Sequence, residues 1–320
     1  MNETQYTNCC VQYTRQPNGD VIMDQDAYIK QLRPIVHAEL TGAPAERDAT
    51  ELIASMFVSL RGALAYTTLT QAWIQVYIVG LQRVQVPTNL DVRRLNAVTR
   101  KLQAMPQKLI YPRMTCTGEV DLHTDSGYRR IEKVDDVKGY GMRGLNVMRR
   151  GTLKDGKTNA IHLIDSVCKS HRLTIRSSYA AELLAAAHGY DDAYPSVVTI
   201  HELKKGPLTP AQLKDNRELG HLAVKVTLTM DAESVYKSLS SRDTNVPAEK
   251  TLLGHVVWIR ELLQQRLIDT VQWCDTRDMS ADGHTKGIIS RDLLLKAMRG
   301  AQNFVHAVTR HAPFRNTKYQ

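Results

Sequence analysis

The sequence predicts an α/β protein, with a mixed sheet flanked by helices and, ahead of it, a smaller, mainly helical segment that opens on a hairpin. Three observations predict this. Up to about residue 111 the apolar residues recur mostly at helical spacing, whereas past a break at Pro112 to Gly118 they alternate as in strands. Later, the strand-like run Leu222 to Met230 leads into a helix, the arrangement of a parallel βα layer. The 320 residues, 42% hydrophobic and 23% charged, are enough for two modest domains with real cores.

The elements follow in order. Cys10-Val-Gln-Tyr-Thr and Asp20-Val-Ile-Met alternate across Pro17-Asn18-Gly19, whose Asn-Gly step suits a tight hairpin. From Asp48 to about Leu81 the spacing is helical. Thr88 and Asn89 offer an N-cap to a helix over Leu90 to Ala104, closed by Pro106. Val92, Leu95, Val98, Leu102 and Met105 form its apolar stripe. Arg93, Arg94, Arg100 and Lys101 lie off that stripe, on a face that is either simply solvated or contacts phosphates. Strands are then expected at Glu119 to Thr124, Val137 to Arg149 and Asn159 to Val167. A helix from Ser178 to His188 follows, capped by Ser177 or Ser178. Residues 191 to 222, with Pro195, Gly206, Pro207 and Pro210, read as a long connection holding at most one short helix. Leu222 to Met230 is a strand, Ala232 to Leu239 a short helix, Thr251 to Leu267 an amphipathic helix, Val271 to Cys274 a strand and Asp292 to Arg299 a last helix. The domains expected are 1–114, 115–300 and a tail over 301–320.

The net charge is +9 and the pI near 9.3, which favours a polyanionic partner. The polar start MNETQYTNCC is no signal peptide, and no apolar run is long enough to span a membrane. Cys9, Cys10, Cys116, Cys168 and Cys274 show no CxxC spacing, so they read as small apolar fillers in a reducing compartment. The expected location is therefore intracellular, cytoplasmic or nuclear, with no membrane association. Trp258 and Trp273 read as core residues, His123 as a structural histidine within its strand, and His284 as a surface loop histidine rather than a proton carrier.

Four acids lie where strands end or helices begin. Asp125 closes VDLHTD, Glu182 lies in the first turns of RSSYAAELLAAAH, Asp231 closes VKVTLTMD, and Asp282 lies in DTRDMSADGHTKG after the strand VQWC. Carboxylates gathered at one sheet edge repel one another unless cations neutralise them. Mg²⁺, a hard ion that prefers oxygen ligands and keeps water positions, suits such a site. Two such ions, ~3.5–4 Å apart, would activate a water and stabilise the leaving oxygen of a phosphodiester. Spacing alone leaves the bland alternative open, since 33 acidic residues are spread over the chain.

The strings around these acids resemble, in order, the RNase H domain of copia-type retrotransposon polyproteins. HTDSGYR is similar to that family's T-D-A/S segment, RSSYAAELLA to its S-S-x-x-A-E helix start, TLTMDAESVYKSL to its D-x-x-S step, and DMSADGHTKG to its L-A-D-x-L-T-K element, with Gly283-His284 as the spacer. EKTLLGHVVWIREL resembles its long helix. The front is similar to the end of the family's reverse transcriptase: GDVIMDQDAYIKQL to G-x-I-x-L-x-Q-x-x-Y-I, MFVSLRGALAY to Y-R-S-L-I-G-A-L-L-W, and VPTNLDVRRLNAVTRKLQ to the helix leading into RNase H. Thr67-Thr68-Leu69-Thr70 replaces its T-R-P-D.

The resemblance implies an RNase H-like fold and hydrolysis of the RNA strand of an RNA–DNA hybrid, leaving a 3′-hydroxyl and a 5′-phosphate. It implies Asp125, Glu182, Asp231 and Asp282 as catalytic residues and ligands of two Mg²⁺ (or Mn²⁺) ions. Asp125 would be shared by both ions, Glu182 and Asp231 would hold the ion beside the leaving oxygen, and Asp282 the other. Ser126, with Gly127 and Glu182, would meet the 2′-hydroxyl. Arg129, Arg130 and Arg176, together with Lys138, Arg143, Arg149 and Arg150, are the pool for phosphates, with Arg93 and Arg100 in the front segment. The adjacent aspartates of a polymerase have no counterpart before Asp91, and Asp135-Asp136 and Asp191-Asp192 read as solvated acids. The expectation is thus part of a polyprotein whose polymerase portion would be a partner. The alternatives are a silent, retroelement-derived nucleic-acid-binding protein and a related nuclease acting on DNA.

Overall fold

In the computed structural model, residues 4–128, 141–171, 175–243 and 247–313 are described. They fold as two compact units, one of residues 1–113 with 294–300 and one of residues 114–293 with 301–320.

Among the described residues of the first unit, a four-stranded antiparallel sheet runs β1 (Gln5–Asn8), β2 (Val11–Arg15), β3 (Val21–Asp24) and β4 (Leu109–Tyr111). The expected hairpin is β2–β3, in register Arg15↔Val21. A second hairpin, β1–β2, was not expected. Its two-residue turn is Cys9-Cys10, both at positive φ (47° and 56°), the geometry of a turn that follows strand twist. These two cysteines are therefore exposed turn residues, which corrects their reading as apolar filler.

The helices of this unit are α1 (Asp26–Gln31), α2 (Glu51–Thr67), α3 (Gln75–Gln82) and α4 (Asn89–Ala104). The long helical stretch is split at Thr67-Thr68-Leu69-Thr70. The hydroxyls of Thr67 and Thr68 donate to the carbonyls of Leu64 and Ala65, both at 2.7 Å, satisfying the last turn of α2 locally. Thr88 caps α4 in a reciprocal box with Asp91. Val92, Leu95 and Leu102 are fully buried as the stripe predicts, but Met105 lies beyond the helix and is exposed.

The second unit holds the mixed sheet flanked by helices, in strand order β10-β9-β8-β5-β6-β7. The long strands β5 (Thr115–Gly127), β6 (Met142–Thr152) and β7 (Ala160–Ser170) form an antiparallel meander. Helix α5 (Ser178–Lys205) and α6 (Pro210–Leu219) lead to β8 (Lys225–Met230), parallel to β5. Then α7 (Glu233–Ser240) and α8 (Leu253–Gln264) lead to β9 (Thr270–Cys274), parallel to β8. Short helix α9 (Asp282–Thr285) precedes β10 (Val308–His311), which pairs antiparallel with β9; between them in sequence lies α10 (Asp292–Met298), whose residues from Leu294 on belong to the first unit.

Two expectations need correcting. The connection over 191–222 is mostly helix: α5 continues from His188 to Lys205, with Pro195 inside it. Proline removes one intrahelical hydrogen bond, but Ala193, Val197, Ile200 and His201 beyond it are buried and hold the helix on the core. Asp191 and Asp192 therefore lie on a helix, and Asp192 pairs with Arg143 (3.0 Å) and Lys169 (3.0 Å) instead of being simply solvated. The supposed tail contributes β10, since the Val308-Thr309-Arg310-His311 backbone covers what would be the open edge of β9.

Both faces of β5 are covered. Val120 and Leu122 join the main core with residues of α5, α7 and α8. The alternate residues His123 and Asp125 meet the 280–285 segment instead. No helix among the described residues is long and apolar enough to cross a membrane.

Candidate active site

The four acids come together at one end of the second unit, each carried by a different element. Asp125 stands two residues past His123, the last residue of β5 paired with parallel β8. Asp231 directly follows the last residue of β8. Both thus lie at the carboxyl ends of parallel strands, where open α/β sheets collect ligands. Glu182 is in the first turns of α5, whose N-cap Ser177 accepts from the Ala180 amide at 3.0 Å and whose Ala-rich start favours helix. Asp282 opens α9.

One carboxylate oxygen from each of Asp125, Glu182 and Asp231 can lie within 4.8 Å of the other two. Asp282 lies against Asp125, close enough for the two carboxyls to share a proton, and near enough to Asp231 to feel its charge. Asp125 is fully buried. Its Oδ2 accepts from the Thr285 hydroxyl, while its Oδ1 is buried without a hydrogen bond. The backbone N–H of Ser126 donates to Glu182. The Trp273 indole N–H donates to the Asp231 carbonyl at 2.8 Å, and Thr276 hydrogen-bonds the Asp231 side chain.

Burial raises the proton affinity of all four acids, and in each case another carboxylate adds to the rise. Asp125 is pushed up to about 7 by burial and then by Asp282. Glu182 lies well above the ordinary carboxylate range through burial and the charges of Asp125 and Asp231. Asp231 is raised by burial and Asp125. Asp282 is raised by burial although the adjacent Lys286 opposes the rise. Buried anions this close are stable only when protonated or neutralised by cations. An all-oxygen donor set, with one buried oxygen lacking any hydrogen bond, fits a hard divalent ion such as Mg²⁺ or Mn²⁺.

A buried polar chain fixes α9 behind these acids. His284 Nε2 donates to Asn146 Oδ1 (2.8 Å), Asn146 Nδ2 donates to Ser280 Oγ (3.0 Å), and Ser280 Oγ is hydrogen-bonded with His123 Nδ1 (3.0 Å). Both histidines are fully buried, and burial lowers each to about 3. His123 is structural, as expected. His284 is no surface histidine: its backbone follows Asp282 inward, and the neutral ring is locked in the chain of hydrogen bonds.

The other sequence-predicted residues divide by place. The Ser126 hydroxyl donates to the Met142 carbonyl at 3.1 Å and meets His171 Nε2 at 2.8 Å, and the side chain is almost wholly buried. Arg176 is exposed immediately before the α5 cap. Arg93 and Arg100 are exposed on α4 in the first unit, Arg93 donating to the Ala43 carbonyl at 2.5 Å. Arg129, Arg130 and Lys138 lie outside the described residues, as do Asp135 and Asp136. Arg143 is paired with Asp192, and Arg150 with the buried Asp121 toward the other end of β5.

Sequence reasoning missed Thr285, Lys286, Ser280, Asn146 and Gly144. Thr285 and Lys286 had a signal, since they stand three and four residues past Asp282 and so on the same side of a helical turn. Asn146 and Gly144 had none short of knowing the β5–β6 register.

No family model and no curated protein matches the chain. Among solved structures, the N-terminal RNase H domain of a Mycobacterium tuberculosis protein is similar at 18% identity and a TM-score of 0.31, covering 56% of this chain and 95% of that one. A compost metagenome RNase H1 is similar at 15% identity and a TM-score of 0.32, covering 55% and 99%. The RNase H1 of the archaeon Halobacterium salinarum is similar at 14% identity and a TM-score of 0.31, covering 55% and 97%. What this chain does must be read from its own carboxylates and their surroundings.

Proposed function

We propose that the second unit is a metal-dependent ribonuclease H that hydrolyses the RNA strand of RNA–DNA hybrids. We further propose that the chain derives from a copia-type retrotransposon polyprotein, residues 1–114 from the end of its reverse transcriptase and residues 115–300 from its RNase H domain. The observation that carries the activity is the buried Asp125 carboxylate, one oxygen without a hydrogen bond, gathered with Glu182 and Asp231 and in contact with Asp282. The four strings around these acids, in copia order, support the descent.

Divalent ions held by these carboxylates would activate a water and neutralise charge at the scissile phosphodiester. Asp125, in contact with the other three acids, would be the ligand shared by both ions. Glu182 and Asp231 would help hold the ion that stabilises the leaving 3′-oxygen, and Asp282 the ion that activates the water. Thr285 hydrogen-bonds Asp125 Oδ2 and leaves Oδ1 without a hydrogen bond, free to take an ion. The Ser126 amide and Trp273 hold Glu182 and Asp231 in place. Arg176, at the mouth of α5, would contact a phosphate of the hybrid, with Arg129, Arg130, Arg93 and Arg100 as further contacts and Ser126 near the 2′-hydroxyl. Each phosphate neutralised adds about 0.9 to the salt slope on B-form duplexes, so hybrid binding should weaken steeply with salt.

The test is a labelled RNA–DNA hybrid incubated with the full chain in Mg²⁺, Mn²⁺ or EDTA, beside DNA and RNA duplexes. Metal-dependent cutting of the RNA strand of the hybrid alone is the expected result. Binding without cutting would instead identify a silent nucleic-acid-binding protein, and cutting of the DNA duplex a related nuclease of different substrate.

A further inference from the structure

Lys286 follows α9 and turns back into the carboxylate site. Its ammonium lies 2.5 Å from Asp282 Oδ1 and 3.6 Å from Asp125 Oδ1. Asp125 Oδ1 is the same buried oxygen that takes no hydrogen bond. The ammonium is therefore held by Asp125 and Asp282, while its charge also reaches Glu182 and Asp231. The Asp125–Glu182–Asp231 side is where three carboxylate oxygens lie within 4.8 Å of one another. Among the described residues, Lys286 is the basic side chain that makes ion pairs within this cluster, with Asp125 and Asp282.

We propose that Lys286 is a tethered cation that occupies one half of the metal site, so that a divalent ion enters the Asp125–Glu182–Asp231 half directly and the Asp125–Asp282 half only by displacing the lysine. This rests on the metal-binding reading above and adds an order of filling to it. Three features support it. The i, i+4 spacing from Asp282 lets a four-carbon stem reach back to that carboxylate. The lysine side chain is 37% exposed, so the ammonium can withdraw into water when an ion takes its place, whereas Asp125 and Asp282, at 1% and 11%, cannot. The exposed residues Gly287 to Ser290 after it leave the stem room to do so.

The lysine thus makes the metal-free site tolerable by neutralising one of four crowded carboxylates, at the cost of competing with the second ion. A displaced ammonium remains tethered beside the site, where the phosphate of a substrate would lie.

The experiment measures Mn²⁺ binding to the full chain by calorimetry without nucleic acid, in the parental protein and in Lys286→Met and Lys286→Arg. The parental protein should bind one ion tightly and a second more weakly. Lys286→Met, which keeps the stem and removes the charge, should tighten the weaker site about tenfold or more and leave the tighter one nearly unchanged. Lys286→Arg, which keeps the charge, should not tighten it. In EDTA, Lys286→Met should melt below the parental protein, and Mn²⁺ should raise its melting temperature by more. Two ions bound with the same affinities in Lys286→Met and in the parental protein would overturn the proposal and leave the metal site standing. A parental protein that binds no Mn²⁺ would overturn both.

Discussion

Gly144 stands directly across the β5–β6 ladder from Asp125, and the missing side chain is what lets α9 reach the acid. A Cβ at Gly144 would lie 2.7 Å from His284 Cβ and 2.9 Å from the Ala281 carbonyl oxygen. One at Gly127 would lie 2.8 Å from the Thr285 carbonyl oxygen. Neither neighbour is the tip of a flexible chain, so α9 must shift. The shift would carry Thr285 off Asp125 Oδ2 and Asp282 away from Asp125. Gly144→Ala is therefore expected to cost about 1–3 kcal/mol of stability, as overpacking does. Hybrid cleavage should fall by more than that loss of folded protein explains. Thermal unfolding and single-turnover cleavage of the same preparation separate the two effects.

Removing the charge of Asp125 tests the centre of the site. Asp125→Asn keeps the shape and the contact with Thr285 but deletes the carboxylate that the proposed ions would share. Cleavage should drop by more than the ~10–100-fold that loss of an outer-shell partner costs. Hybrid affinity should hold or improve, because one carboxylate that repels phosphate is gone. A variant that cleaves at the parental rate would remove Asp125 from the chemistry.

How much of this was legible in the sequence depends on the range of the interaction concerned. The four acids could be found because each sits at a local transition, strand to loop or cap to helix, and such transitions are marked by neighbouring residues such as Ser177. Helix α4 was legible for the same reason: Thr88 and Asp91 cap it reciprocally within four residues. The second half of α5 was not. Pro195 is locally a helix breaker, and what overrides it is the burial of Val197 and Ile200 in a core built by distant strands. Strand β10 was missed because its partner β9 lies over thirty residues upstream. The chain from His284 through Asn146 and Ser280 to His123 joins three segments across as many as 161 positions, as the His123–His284 numbering shows. No local pattern encodes such a chain.

The raised carboxylates predict an unusual pH dependence of the metal-free protein. Burial and Asp282 hold Asp125 near 7 in the folded state, against about 4 in an unfolded chain. The folded state thus binds the proton more tightly. Its contribution to stability is present below the unfolded value and is lost as pH rises through the folded one. In EDTA, Asp125→Asn and the parental protein should therefore melt at similar temperatures near pH 4.5. By pH 8 the variant should be the more stable, by a few kcal/mol. Mg²⁺ should close that gap by stabilising the parental protein alone, since the ion competes with the proton for the same oxygens. A difference in melting temperature independent of pH, or stabilisation of both proteins by Mg²⁺, would contradict the assignment.

The buried histidines predict a slope of opposite sign. His284 is held neutral at about 3 by burial, while in an unfolded chain it titrates near 6.5. As pH falls below 6.5 the unfolded state gains a proton that the folded state refuses, so stability falls toward acid. Over the range from pH 7 to pH 4.5 this amounts to about 2–3 kcal/mol for one histidine. His284→Gln can still donate to Asn146 but cannot titrate. The variant should be less stable than the parental protein at pH 7, because the amide fills the ring's cavity poorly. That deficit should shrink by about 2–3 kcal/mol on going to pH 4.5. Denaturant unfolding of both proteins in EDTA at the two pH values measures it. The comparison is made between variant and parent because the carboxylate and histidine slopes oppose one another between about pH 4 and 6.5 in the parental curve alone. A deficit that stays constant would mean that the His284 ring takes up a proton without unfolding, and that the hydrogen-bond chain does not lock α9 in the neutral form.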